Sequence, residues 1–141
     1  MISSKISFVL PAKNEESTIE NVLNEIINIS KKIDTNPVGI VVASDSIDNT
    51  DQICKKFENV KLINCKNIGL GYSMYLGLRE ALKFKTDYVC SIDSDGQVDL
   101  KEVEIFYKEI KKGENQLILG SRFLNKDLIQ YDYKFLNNFG I

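Results

Sequence analysis

The sequence predicts an α/β fold, a largely parallel sheet covered by helices on both faces. Two observations lead there. Short apolar runs alternate with segments of helical periodicity along the chain, the pattern of strands joined by crossover helices. The distinctive polar clusters fall just after the apolar runs, and ligands of such sheets sit at the carboxyl ends of the strands. A length of 141 residues suits one domain with a real core and is too short for two ordinary ones.

The elements follow in order. Ile6 to Leu10 reads as a buried strand stopped by Pro11. Ser17 and Glu20 have capping-box spacing before Ile19, Val22, Leu23, Ile26 and Ile27, which share a helical face. Ile40 to Val42 is a second strand, closed by the polar turn Ser44 to Asn49; Asp48 can cap a helix running to about Glu58. Val60 to Ile63 is a third strand and leads into a glycine-punctuated loop. Met74, Tyr75, Leu78, Ala81 and Leu82 keep helical spacing, and Tyr88 to Ile92 is the fourth strand. Asp99 can cap a helix bearing Val103, Phe106, Tyr107 and Ile110, and Leu117 to Leu119 is a fifth strand. From Phe123 to Ile141 the apolar residues Tyr131, Tyr133, Phe135, Leu136 and Phe139 show no clean period.

Composition excludes several functions. Net charge is -2 with acids and bases interspersed, so no footprint for nucleic acid exists. No run approaches the roughly 20 apolar residues of a membrane span, and the start lacks the regions of a signal peptide, so the chain reads as cytoplasmic. With no histidine, Cys/His zinc sites and histidine triads are excluded, and Cys54, Cys65 and Cys90 read as reduced packing residues.

Five clusters carry the chemistry. Pro11-Ala12-Lys13-Asn14-Glu15-Glu16 follows the first strand, Asp45-Ser46-Ile47-Asp48-Asn49-Thr50 the second and Asn67-Ile68-Gly69-Leu70-Gly71 the third. Asp93-Ser94-Asp95-Gly96-Gln97 follows the fourth, and Gly120-Ser121-Arg122 the fifth. In extended backbone residues i and i+2 face one side, so Asp93 and Asp95 can aim at one cation. A hard divalent ion such as Mg²⁺ is usually held by one or two carboxylates, with phosphate and water completing its shell.

At these residues, from Ile6 to about Leu124, the chain resembles the family 2 glycosyltransferases of the GT-A fold. The Asp-x-Asp-Gly-Gln run and the Gly-Ser-Arg-Phe element resemble the subgroup that transfers sugars to polyprenyl phosphates, such as the dolichyl-phosphate mannose and glucose synthases. The resemblance implies a GT-A, Rossmann-like α/β/α sandwich, with a nucleotide-sugar-binding domain over residues 1–124 and the start of an acceptor-side region over 125–141. It implies a UDP-, GDP- or dTDP-linked sugar donor and a polyprenyl phosphate or glycan acceptor, and with the lipid acceptor a peripheral place at the inner face of the membrane. Asp93, Asp95 and Gln97 would hold Mg²⁺ or Mn²⁺. Pro11, Ala12, Asn14 and Glu15 would surround the nucleoside, with Asp45 on the base and ribose. Gly69 and Gly71 would let backbone approach the donor, Ser94 would lie beside it and Arg122 near phosphate.

Each role has a structural rival. Asn14 and Glu15 also suit a loop and a helix start, Asp45 and Asp48 a turn and a cap, Gly69 and Gly71 a turn and helix packing. Arg122 also suits pairing with a surface acid. Three departures from the family pattern stand out. The second-strand turn usually carries two consecutive acids; here Ala43 and Ser44 precede Asp45. Lys13 stands where an aromatic residue is frequent. The chain ends at Ile141, before the acceptor site, the catalytic base and a later antiparallel strand between the fourth and fifth used here. The expectation is therefore a sheet truncated at the C-terminus, marginal stability or self-association, and donor binding without transfer. A non-catalytic nucleotide-sugar-binding fragment of a longer transferase is the competing reading. A haloacid-dehalogenase-type phosphatase and an EF-hand fit less well. The phosphatase motif normally opens its fold, and Val98 stands where the calcium loop needs glycine.

Overall fold

The computed structural model describes residues 5–33, 39–66, 68–113 and 117–121. Four strands form one all-parallel sheet: β1 (Ile6–Ala12), β2 (Ile40–Ser44), β3 (Val60–Asn64) and β4 (Tyr88–Ser91), in the order β3-β2-β1-β4. The two central strands are buried along their whole length, which is why they read as unbroken apolar runs. The outer two are half-buried. Helices α1 (Ile19–Lys32), α2 (Thr50–Cys54), α3 (Leu70–Ala81) and α4 (Glu102–Ile110) lie between and after them. The expected α/β architecture with a parallel sheet is what the chain forms.

Pro11 does not stop β1. The Phe8 amide donates to the Gly39 carbonyl on the β2 side, so with a period of two the missing N–H of Pro11 faces β4. There the last paired residue is Val9, opposite Ser91, and no ladder bond is lost. The strand runs on against β2 through Pro11↔Ala43 and Ala12↔Ser44.

The two faces of the sheet are covered differently. On one face Phe8, Leu10, Ile40 and Val42 pack with Ile19, Leu23 and Ile26 of α1 and Val103, Tyr107 and Ile110 of α4 in the main core. On the other, α3 lies across β1 and β2 over a small cluster centred on Val9, Val41 and Ala81. The buried side of α3 is Ser73, Gly77 and Ala81, one residue per turn. A Cβ on Gly77 would come within 2.6 Å of Val9 Cγ1, so the close approach requires glycine there. Of the apolar spacing expected to face the core, Ala81 does so and Met74 packs on the small cluster, whereas Tyr75, Leu78 and Leu82 lie toward solvent. Both faces of this helix repeat with the same period, and the smaller side chains let it come closest to the sheet.

Three further expectations are not met. Helix α1 starts after Thr18, and neither Ser17 nor Glu20 forms a capping box; no side chain caps its first turn. Helix α2 is only five residues long and ends at Cys54, where the backbone turns into β3. Leu117 to Leu119 is not a strand. Leu117 and Leu119 are exposed while Ile118 packs on the main core, so the alternation of a strand is present without a neighbouring strand to bond.

Candidate functional site

The turns after the strands do meet at one end of the sheet. Residues 13–16 are joined to the turn after β2 by a set of hydrogen bonds that begins at Asn14, whose backbone is left-handed (φ 59). The Asn14 amide donates to Ser46 Oγ at 2.9 Å, and Asn14 Oδ1 accepts from the Ile47 amide at 2.9 Å. The Glu15 amide donates to Thr50 Oγ1 and the Glu16 amide to Asp48 Oδ2. Glu16 Oε2 in return accepts from the Asn49 amide and its Nδ2. Asn is one of the few residues that tolerates this backbone, and its short side chain here satisfies an amide of the neighbouring turn.

The Asp93-Ser94-Asp95 turn is held from two sides. Ser94 is buried and its hydroxyl donates to the Pro11 carbonyl at 2.7 Å. The Ser94 carbonyl accepts from Thr18 Oγ1 at 2.9 Å. Gly96, with φ +75, lets the chain reverse beside the Thr18 methyl. The backbone between the two carboxylates is thus pinned, while the carboxylates keep their capacity. Asp93 is exposed and makes no hydrogen bond or ion pair among the described residues. Asp95 uses one oxygen, Oδ1, to accept the Gln97 amide at 2.9 Å.

Between these turns and the start of α3 lies an open cleft of about 210 Å³. Pro11, Ala12 and Glu15 line it from the first turn, and Asp45 from the second. Gly69 lines it from the third, and Asp93, Ser94 and Asp95 from the fourth. This volume is below the roughly 300–1,000 Å³ of a closed small-molecule pocket, so a large ligand would be enclosed only in part. Asn14, Gly71 and Gln97 do not line it. Asn14 instead faces the second turn, and the Gln97 backbone orders Asp95. Arg122 and Asn67 lie outside the described residues.

The structure adds four lining residues to those expected: Lys13, Ala43, Leu70 and Ser73. The Lys13 ammonium pairs with Asp45 Oδ2 at 3.2 Å. The first turn also gains Thr18, whose grip on Ser94 no sequence pattern announces because its partner is a carbonyl 76 residues away. Asp48 proves to be a turn residue: partial desolvation pushes its carboxyl up, but hydrogen bonds from Thr50 Oγ1, the Thr50 amide and the Glu16 amide outweigh that and hold it below its ordinary value. Burial pushes the Cys65 thiol up; the Ser73 hydroxyl hydrogen bond opposes this and the Asp45 charge adds to it.

No three His, Cys, Asp or Glu side chains gather into a metal-holding group among the described residues. Asp93 and Asp95, one without partners among the described residues and one engaged through Oδ1, suit a hard cation that takes its remaining oxygens from a ligand and water.

Comparison with known proteins agrees with the fold and the family resemblance. The sequence profile of the family described as Glycosyl transferase family 2 matches residues 7–137. The chain is 32% identical over 139 residues to an uncharacterised protein of Methanocaldococcus jannaschii, covering 97% of this chain and 55% of that one. It is 31% identical to a dolichyl-phosphate beta-glucosyltransferase of Trichomonas vaginalis, covering 86% and 41% respectively. A UDP-N-acetylglucosamine–dolichyl-phosphate N-acetylglucosaminyltransferase of Methanococcus voltae is 29% identical, over 89% of this chain and 55% of that one. The chain therefore spans about half the length of these relatives. Among solved structures, mannosyl-3-phosphoglycerate synthase from Rubrobacter xylanophilus superposes with a TM-score of 0.59 at 21% identity, over 71% of this chain and 34% of the other. TarS of S. aureus, residues 1–349, gives 0.53 at 28% identity, over 74% and 32%.

Proposed function

The chain belongs to glycosyl transferase family 2, and from that premise we propose that it forms the donor-binding part of an enzyme moving a sugar from a nucleoside diphosphate to a polyprenyl phosphate. The observation that carries the donor half is the convergence of Asp45, Asp93, Asp95 and the Gly69 backbone on one open cleft. The names of the Trichomonas and Methanococcus relatives support the acceptor class. A lipid-borne acceptor would put the work at the inner face of a membrane; among the described residues no helix is long and apolar enough to cross one.

In this reading the nucleoside lies against Pro11 and Ala12, and Asp45 accepts from its ribose or base. Asp93 and Asp95 would hold Mg²⁺ or Mn²⁺ beside the diphosphate. When bound, the cation neutralises charge gathering on the departing nucleoside diphosphate. The chain's own part is positional: Thr18 and Ser94 fix the turn that aims both carboxylates, and the clasp from Asn14 to Asn49 fixes the loop over the nucleoside. Holding donor and acceptor in attack geometry is where much of a transferase's rate arises.

Titration calorimetry with UDP and GDP, with and without Mg²⁺ or Mn²⁺, tests the reading. Metal should tighten diphosphate binding about tenfold or more, since most coordination positions belong to phosphate and water, and Asp95→Asn should remove most of that gain. Asp45→Ala should weaken nucleotide binding by about 1–3 kcal/mol, the scale of a lost charged hydrogen bond. Diphosphate affinity indifferent to metal overturns the metal assignment. An equal loss of ligand-free thermal stability in Asp45→Ala would make Asp45 a turn residue only.

A further inference from the structure

The donor reading leaves the cationic lining side chain without a task. Among the described residues around the cleft, Lys13 is the sole cation beside the four carboxylates of Glu15, Asp45, Asp93 and Asp95. Its ammonium sits on Asp45, the acid assigned above to the nucleoside, and the two partners differ in freedom. The Asp45 side chain is 16% exposed and its amide is fixed to the Ala12 carbonyl at 2.9 Å. The Lys13 side chain is 72% exposed on a flexible four-carbon stem.

We propose that Lys13 is a two-position specificity residue: it rests on Asp45 in the empty cleft and moves to the phosphates when a nucleoside diphosphate enters, leaving the Asp45 oxygen to the nucleoside. This rests on the donor reading. An ion pair with so exposed a partner is worth little in water, so leaving it is cheap when a new partner is offered. A diphosphate offers more negative charge than one carboxylate, and a charge-assisted contact replaces the one given up. A nucleoside without phosphate offers the lysine nothing. To take Asp45 Oδ2 it must displace the ammonium uncompensated. The exchange therefore discriminates by penalising the wrong ligand as well as by favouring the right one.

The test is ligand-observed NMR titration, which reaches millimolar affinities, of the wild type, Lys13→Met and Lys13→Arg with UDP, GDP, uridine and guanosine in Mg²⁺. Lys13 is exposed and its neutral variant keeps an unbranched stem, so folding should be unaffected. Lys13→Met should weaken the preferred diphosphate about 5- to 10-fold, the loss of one charge-assisted contact. It should tighten the matching nucleoside about 2- to 5-fold, the release of one exposed ion pair. Lys13→Arg should behave as wild type for both. Loss of diphosphate affinity with no gain for the nucleoside makes Lys13 a plain phosphate ligand and overturns the exchange. Movement of both ligands in one direction, or of neither, overturns it as well. A wild-type chain that binds no diphosphate removes the donor reading and this inference together, whereas wild-type binding without the crossed response removes this inference alone.

Discussion

The two faces of the sheet are built to opposite specifications. Among the described residues, one buries eighteen, most of them large and aliphatic, between the strands and α1 and α4. The other has three, Val9, Val41 and Ala81, under the Ser73, Gly77 and Ala81 side of α3. Burying a Leu or Ile side chain contributes roughly 1.5–3 kcal/mol, so the first face carries most of the hydrophobic stabilisation. The second trades apolar mass for closeness. A helix that lies low on the sheet brings Gly69, Leu70 and Ser73 at its N-terminal end beside Pro11 and Ala43, and there the cleft opens. The bulk of the core and the cleft are thus divided between faces, with β1 and β2 shared by both.

The largest expected effect breaks the first face. Phe8 is fully buried in the centre of β1, and Phe8→Ala should destabilise the chain by about 3–5 kcal/mol in urea unfolding, the range for large core truncations. Nucleotide affinity of the fraction still folded should change little, because Phe8 points away from α3 and the cleft. A comparable loss of affinity in that folded fraction would mean that the faces are not independent.

Next comes the close approach. Gly77→Ala should destabilise by about 1–3 kcal/mol although alanine is the better helix former by about 1 kcal/mol, because the new methyl meets Val9 at 2.6 Å. Here the cleft should respond too, since lifting α3 shifts Gly69 and Ser73. Stabilisation by this substitution would show that α3 has room to spare, and the contrast between faces would fail.

These two positions also mark what a sequence can tell. The four strands and the clusters after them were legible because continuous apolar runs and turn residues are local signals. The facing of α3 was not. Tyr75, Leu78 and Leu82 repeat with the same period as Ser73, Gly77 and Ala81, and periodicity alone does not say which row a sheet with small side chains admits. The same limit hid the site's supports. Asn14 was legible as a polar loop residue, but its left-handed backbone and its bond to the Ile47 amide depend on a turn more than 30 residues away. Ser17 and Thr18 are equally good hydroxyl donors on paper; only the arrival of the Ser94 carbonyl selects Thr18. Leu117 to Leu119 had the composition of a strand, yet a strand is defined by its neighbour.

A smaller effect sharpens the link between the heavy face and the site. Thr18→Val keeps the shape but leaves the Ser94 carbonyl without its donor, which should lower stability by about 0.5–1.5 kcal/mol. The distinguishing readout is metal: the gain in UDP affinity on adding Mg²⁺ should shrink, while metal-free UDP binding stays near wild type. A uniform drop in both would assign Thr18 to helix α1 rather than to the aspartate turn.

The smallest effect lies at the outer clasp, where the Asp48 carboxyl is held below its ordinary value by Thr50 and Glu16 against partial desolvation. A carboxyl whose folded value is depressed binds its proton more readily in the unfolded chain. Its contribution to stability is therefore complete above the ordinary carboxylate value, near 4, and is lost as pH falls through the lower, folded value. Asp48→Asn should accordingly flatten the acid limb of the stability–pH curve below about pH 4, by lowering the neutral plateau slightly while the acid end stays near wild type. The bonds from the Asn49 amide and Nδ2 to Glu16 Oε2 remain in that variant, so the loop should keep its place over the cleft and UDP affinity at neutral pH should hold. If instead the variant loses nucleotide binding at pH 7 with its stability intact, the Asp48 charge acts on the ligand itself, and the separation of a structural clasp from the cleft would have to be redrawn at this turn.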